Sequence, residues 1–374
     1  MKYISENKEV RESITSTYYK KELKLLFDKT AQWLSGDGRN SNIIISSRIR
    51  LARNLYGMRY TNRIRSNRGK SDELVEIMEK VYAALTKLST WLDISFFEIE
   101  KLSELDKQFL LERRLISPFM IDVTGPAGLA VTKDQSSSIM INEEDHLRLQ
   151  VIQSGFEITK AWKIVSNLDD ELGKFLEYQF SEHFGYLTAC PTNTGTGMRV
   201  SIFIHLPGLA LNGEVENVMK DLAPSEVTIR GFYGEGTEVL GNIFQISNQL
   251  TLGRSEDAIL KRMEFITNKL IEMESKAREA LLKHNKILIE DKIYRAYGLL
   301  SQARIINSME FIDLLSSLRL GFELGFIGSI TRKVLNELMV LAQPAHLQKY
   351  YDEILPHDKR DILRAELIKK KLKL

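Results

Sequence analysis

Arg48 and Arg50 stand two residues apart in the apolar stretch NIIISSRIRLARN. On an extended strand, positions i and i+2 point to one face. A guanidinium held against an apolar strand must find an anion. Arg199 opens a second strand-like stretch, MRVSIFIHLPGL, Arg148 lies in a charged, loop-like segment, and Arg230 precedes the glycine-rich turn RGFYGEG. Each of these three, taken alone, reads as a surface arginine. Several planar guanidinium forks meeting at different angles suit a polyphosphate. Carboxylates stand beside them. NEEDHLR offers Glu143, Glu144 and Asp145, and YGEGTE places Glu235 between two glycines. Glycines let a ligand approach the backbone closely. Glu143 and Asp145 read as ordinary solvated loop carboxylates. An arginine-lined anion site with opposed carboxylates suggests phosphoryl transfer to a cationic acceptor.

The stretch CPTNTGTGMR, residues 190–199, holds the only cysteine of the chain. It is not a phosphate-binding P-loop, because no Lys-Ser/Thr follows its glycines and a strand comes next. A cysteine nucleophile needs a base. His183 and His205 are available, but nothing in their spacing requires contact. A lone cysteine is as often a buried, inert thiol.

The elements that must position these residues fall into two regions. Residues 1–40 read as a helical lead-in ending in the loop GDGRNS. NIIISSRIRLARN is a strand, and residues 71–90 form an amphipathic helix with Ser71 as N-cap. SFFEIEKL reads as a short strand, ELDKQFLLERRLI as a helix, and LAVTKDQSSSIMINEEDHLRLQVI as a hairpin running into an exposed loop. Residues 158–182 read as helical, with Asn167, Asp169 and Asp170 marking a break or cap. MRVSIFIHLPGL and LGNIFQISNQLTLG are further strands. From about residue 256 glycine becomes scarce and the apolar period becomes helical. The expected division is 1–255 for the catalytic part and 256–374 for a helical domain.

Composition bounds the partners. The chain has 374 residues, about two domains' worth, and a net charge of +2, which is no nucleic-acid-style polycation. One cysteine excludes an internal disulfide and a cysteine-rich metal site, and it suits a reducing cytosol. The N-terminal residues lack an apolar signal core, and no stretch approaches 18 uninterrupted apolar residues. The expectation is a cytoplasmic protein that binds neither membrane nor nucleic acid. Lys369, Lys370, Lys371 and Lys373 read as a solvated helix end, where cations suit the helix dipole.

SSRIRLARN, NEEDHLR, CPTNTGTGMR and RGFYGEG, in that order, resemble the signatures of the guanidino (phosphagen) kinase family, most of all its bacterial protein arginine kinases of the McsB type. The resemblance covers residues from about 40 to 255. It implies an α+β fold, an antiparallel sheet flanked by helices, with MgATP bound against the sheet. The phosphates would be held by Arg48, Arg50, Arg148, Arg199 and Arg230, within the motif segments Ser47–Arg50, Arg199–Phe203 (including Val200, Ser201 and Ile202) and Arg230–Glu235 (including Gly231, Phe232, Tyr233 and Gly234). Ile49 belongs to the first of these. Mg2+ would enter through the nucleotide, with no metal site of the protein's own. Glu235 and Glu144 would clamp the acceptor guanidinium, with Glu235 as the base. Cys190 would border that guanidinium as an electrostatic contact. Arg114, in RRLISP, stands where the family has a nucleotide-contacting histidine. Phe203 stands where small-molecule members carry another, with His205 two residues further on.

Two features separate a protein substrate from a small one. Small-molecule members carry a helical domain of roughly a hundred residues before the SSRxR strand, whereas only about 45 residues precede it here. RDILRA, residues 360–365, matches the RDxxRA motif that in protein arginine kinases forms an allosteric phosphoarginine site. Arg360, Asp361, Arg364 and Ala365 would build it. Without the resemblance, the same spacing describes an intrahelical ion pair worth tenths of a kcal/mol. The expected activity is ATP-dependent phosphorylation of exposed arginines on proteins, marking them for a Clp-type AAA+ protease or regulating a stress repressor, with an activator protein and the protease as candidate partners. The apolar stretch LLSSLRLGFELGFIGSI suggests a homodimer. A small-molecule guanidino kinase and a non-catalytic phosphoarginine-binding adaptor are the alternatives.

Overall fold

A computed structural model describes residues 8–62, 72–92, 94–222, 226–231 and 240–373. Its centre is an eight-stranded antiparallel sheet in the order β2-β3-β4-β5-β1-β8-β10-β9. The strands are β1 Ile44–Arg53, β2 Ile94–Glu98, β3 Gly128–Thr132, β4 Ser137–Ile141, β5 Leu147–Ser154, β8 Met198–His205, β9 Val227–Arg230 and β10 Ile243–Asn248; β6 Phe180–Ser181 and β7 Gly185–Tyr186 form a separate hairpin. Strand alternation sorts the side chains of the middle strands. Ile49, Leu51, Leu149, Val151, Val200, Ile202 and Ile246 point to one side and join a single apolar core. The residues between them, Arg48, Arg50, Gln150, Arg199 and Ser201, point to the other side.

Helices flank both faces. Helix α1 spans Lys8–Asp28, α2 Asp72–Leu92, α3 Glu104–Glu112 and α4 Ile158–Gly173. Helices α2 and α4 join the apolar core, whereas α1 and α3 pack with Phe97, Leu129, Val131 and Met140 in a separate core on the face that carries Arg148. Ala161, Val165, Leu168 and Leu172 make the buried stripe of α4 at helical spacing. The short helices α5 Pro207–Leu211 and α6 Val215–Leu222 follow β8. Helix α7, Glu256–His284, is capped by Ser255, whose hydroxyl accepts from the Ala258 N–H. Its Ile259, Met263, Ile266, Leu270 and Ala277 join the core of the sheet. The change of period near residue 255 therefore marks where helices take over, while the first of them still packs on the sheet.

The remaining helices are α8 Lys286–Gln302, α9 Ser308–Glu323, α10 Arg332–Leu341, α11 Pro344–Tyr351 and α12 His357–Leu372. They enclose a second core with Ile293, Phe311, Leu318, Leu338 and Ile368, which reaches Trp33, Ile45, Ile152 and Phe203 at one end of the sheet. The architecture is the antiparallel sheet, flanking helices and helical C-terminal region expected from the sequence.

Three local expectations change. Helix α4 ends at Gly173 and is followed by the β6–β7 hairpin, so residues 174–182 are not helical. Asp169 lies inside α4 and breaks nothing, because it takes the buried Arg53 through Nε and Nη2 at 3.0 and 2.7 Å. The segment 128–154 is three strands, and Arg148 sits on β5 where a loop was expected. The Ser71 cap lies outside the described residues.

Leu270→Ala should therefore weaken the catalytic sheet and not the C-terminal helices alone. The expected loss is about 2–5 kcal/mol in denaturant unfolding. Nucleotide binding and global unfolding should fail together as denaturant rises. Loss of the C-terminal helices alone would contradict this packing.

Candidate active site

The register brings the five arginines to one face. Arg50 is directly opposite Arg199 on β8, and Arg48 is opposite Ser201. Across the other edge of β1, Arg50 is opposite Gln150 and Ala52 is opposite Arg148. Gln245 of β10 pairs with Phe203 on one side and Arg230 on the other, which puts Arg230 on the same face. Like charges directly across a strand pair repel.

Among the described residues, Glu143 offsets part of this charge. Glu143 takes Arg148 Nη1 through both oxygens, at 2.6 and 2.7 Å. Gln245 Oε1 accepts from Arg48 Nη2 at 3.0 Å. The Arg50 Nε is buried with no hydrogen-bond partner among the described residues. Burial, and then the neighbouring Arg114, Arg148 and Arg199, lower Arg48 to about 9. Burial and then Arg48, Arg148 and Arg199 lower Arg50 as well. A guanidinium still stays charged near neutral pH.

Arg114 joins this group. It follows the C-cap of α3 at φ 61, with its N–H on Leu111 O at 2.8 Å and the Leu115 N–H on Leu110 O at 3.0 Å. That is a Schellman end, where glycine is the usual residue. Its guanidinium lies 4.0 Å from the Phe203 ring centre, and Gln150 Nε2 donates to its carbonyl at 2.7 Å. A cation thus stands at the edge of the arginine face, with Phe203 as its platform.

The acidic turn between β4 and β5 is not solvated as expected. Glu143 and Asp145 are both buried. Burial raises Glu143, but Arg148, the Ser117 hydroxyl and the Glu144 N–H outweigh it, and its carboxyl lies below the ordinary range. Asp145 Oδ1 accepts from Asn54 Nδ2 and from the Ala189 N–H, each at 2.7 Å. It therefore pins the end of β1 to the segment entering Cys190. Glu144 is the half-exposed member of the three. Burial, then Asp145 and Glu143, raise its carboxyl.

Cys190 is half-exposed, with Sγ 3.0 Å from Thr192 Oγ1. His205 is buried 2.8 Å from Ser316 Oγ, on the side of α9. It is not set up as a base for Cys190. Ile49, Val200 and Ile202 point into the opposite core, and Ser47 Oγ donates to Gly155 O at 2.7 Å. These members of the binding motifs build the strands under the site. Phe232, Tyr233, Gly234 and Glu235 lie outside the described residues; Gly231 is buried beside Arg230. The sequence reading missed Asn54, Gln150 and Gln245. Their signal was present, since all three are amides on or beside strands that carry the arginines. A cavity of about 350 Å³ lined by Val227, Asn248, Ile259 and Met263 opens on the other pleat of β9 and β10, away from this chemistry.

At the C-terminal motif, Arg364 is buried and donates to Ala342 O and Ile306 O, both at 2.8 Å, and to Asp361. Arg360 is half-buried and Ala365 is buried.

Comparison with known proteins defines the class first. Residues 76–277 match the ATP:guanido phosphotransferase C-terminal catalytic domain. Lombricine kinase has a similar structure, with a TM-score of 0.57 at 23% identity over 73% of this chain and 79% of that one. The duplicated taurocyamine kinase from Schistosoma mansoni has a TM-score of 0.57 at 23% identity over 64% of this chain, which spans only 34% of that longer protein. Residues 286–374 match the protein-arginine kinase McsB C-terminal domain. The protein-arginine kinase of Geobacillus sp. (strain WCH70) is 42% identical over 92% of this chain and 94% of its own length. That of Clostridium tetani is 42% identical over 91% and 98%. The chain belongs to the protein-arginine kinase family of ATP:guanido phosphotransferases.

Removing one guanidinium from the face should relieve repulsion. Arg50→Met is expected to leave stability unchanged or raise it by up to about 4 kcal/mol in nucleotide-free buffer. It should also abolish the thermal stabilisation that inorganic triphosphate gives the parent protein. A variant that is less stable, yet still stabilised by triphosphate, would contradict the anion-site reading.

Proposed function

We propose that this chain transfers the γ-phosphoryl group of ATP to arginine side chains of proteins. The observation that carries the reading is the convergence of Arg48, Arg50, Arg148, Arg199 and Arg230 on one face of the sheet, with the Arg50 Nε lacking a hydrogen-bond partner among the described residues. A polyphosphate supplies the anion. The acceptor guanidinium approaches from the side of Glu144 and Cys190. Its nitrogen attacks the γ-phosphorus, the N–P bond forms, the bond to the ADP oxygen breaks, and a carboxylate takes the proton released. The arginines neutralise the charge spread over the transferring group.

Glu144 and Glu235 hold the acceptor in this proposal, and Glu235 is the base. The raised carboxyl of Glu144 fits a group that must accept a cation in a half-buried position. Mg2+ supplies further neutralisation of the phosphates when bound. In this proposal the ion enters with the nucleotide. Arg114 contacts the nucleotide from the edge of the face. We further propose a phosphoarginine site at Arg360, Asp361 and Arg364, a homodimer through the helical region, and action in the cytoplasm on proteins destined for a Clp-type protease or on a stress repressor, with an activator protein as partner. Opening the Asp361–Arg364 pair would be needed for both residues to meet a ligand.

The test is incubation with MgATP and an arginine-rich unfolded protein, beside free arginine. Acid-labile phosphoarginine is expected on the protein, and its appearance only on free arginine would refute the proposal. Glu144→Gln should lower kcat/KM by about 10²-fold or more. In the parent, activity should fall as pH drops through a value above the ordinary glutamate range, because Glu144 must be ionised to hold the acceptor. A profile whose acid limb is unchanged in Glu144→Gln would count against that role.

Alkylation of Cys190 should block phosphotransfer while nucleotide still binds, with no covalent phosphoenzyme trapped during turnover. Full activity after complete alkylation would return Cys190 to the status of a bystander thiol.

A further inference from the structure

Glu112, Arg113 and Arg114 are consecutive, and each is held by a different part of the molecule. Glu112 Oε1 accepts from the Ala345 N–H at 2.8 Å, and its Oε2 accepts from the His346 N–H at 3.0 Å. These are backbone donors of the first turn of α11, where a carboxylate is favoured. Glu112 Oε2 also lies 2.7 Å from His346 Nδ1. Arg113 Nε donates to His346 Nε2 at 3.0 Å. An arginine can only donate, so Nε2 accepts and the ring hydrogen is on Nδ1, aimed at Glu112. The buried imidazole is neutral, in keeping with burial that lowers its pKa. The rest of the Arg113 guanidinium grips the end of α1, at Lys29 O (3.0 Å) and Phe27 O (3.1 Å), and Gln135 Oε1 at 2.5 Å.

Arg114 then turns through the left-handed region and lays its guanidinium on Phe203, near enough to lower Arg48. A long side chain at a position that favours glycine carries strain of about 1–2 kcal/mol. Such strain persists only where the surroundings over-determine it. Here the surroundings are the clamp on Glu112 and Arg113. The other end of the clamp leads to the C-terminal motif. Arg364 holds Ala342 O two residues before α11 begins. Burial pushes the Glu112 carboxyl up to about 8, and the Ala345 and His346 N–H groups, then Arg360 and Arg364, oppose that rise.

We propose that Glu112 and His346 are positioning residues for the nucleotide site, which set the place of the Arg114 guanidinium by clamping the first turn of α11 to the end of α3. This rests on the reading of Arg114 as a nucleotide contact.

A double-mutant cycle on the full chain tests it, with ADP affinity measured by calorimetry. Arg114→Ala and Glu112→Gln should each weaken ADP binding several-fold. The double variant should bind no more weakly than Arg114→Ala alone, because Glu112 acts through Arg114. In turnover, Glu112→Gln should raise KM for ATP and leave KM for the arginine acceptor unchanged, which a merely structural role would not do. His346→Gln breaks the same clamp from the other side and replaces Glu112→Gln if that variant does not fold. Parent-like ADP affinity in the clamp variants, or losses that multiply in the double variant, would overturn the inference while leaving the nucleotide role of Arg114 standing. Parent-like affinity in Arg114→Ala would overturn that role and the inference with it.

Discussion

The site depends on repulsion between desolvated guanidinium groups on one face of a sheet. Arg50 and Arg199 face each other across β1 and β8, with Arg148 on the strand at the other side of β1. Two like charges a few ångströms apart in such surroundings repel by a few kcal/mol. The fold withstands this because the opposite face of the same strands is closed by a large aliphatic core, and because β1, β5 and β8 are the middle strands of eight. Glu143 and Gln245 tether Arg148 and Arg48. The cluster is held in place, and the Arg50 Nε has no hydrogen-bond partner among the described residues.

That arrangement is suited to phosphoryl transfer. The protein has little covalent chemistry to do on a phosphoryl group, so position and electrostatics carry most of the work. Donors fixed before the substrate arrives need not reorganise during the reaction. The proposed acceptor side is fixed by a different device. Asp145, buried and acidic, ties Asn54 at the end of β1 to Ala189 before Cys190, so the phosphate side and the acceptor side share one strand as their reference.

Much of this was legible in the sequence, and the reasons are specific. Arg48 and Arg50 at i and i+2 in a β-branched run already required one polar face on an apolar strand. The helices from residue 256 were visible from their period. What was not legible depended on long-range contacts. Glu143 and Asp145 looked like solvated loop residues because nothing nearby in the chain shows that Arg148 and Asn54 will enclose them. Arg148 looked like a loop residue because the charged run NEEDHLR masks the start of β5. Asp169 looked like a cap because its partner, Arg53, is 116 positions away. The order of the motifs supplied what spacing could not: Arg199 and Arg230 lie on β8 and β9, separated by β10, an adjacency that no local pattern encodes.

The most direct measurement is an experimental structure of the full chain with Mg2+ and a non-hydrolysable ATP analogue. The account predicts phosphate oxygens over the Arg50–Arg199 pair, the Arg50 Nε donating to one of them, and Arg114 beside the nucleotide. Phosphates bound elsewhere, for example in the cavity by Val227 and Asn248, with the Arg50 Nε still lacking an anion, would contradict it.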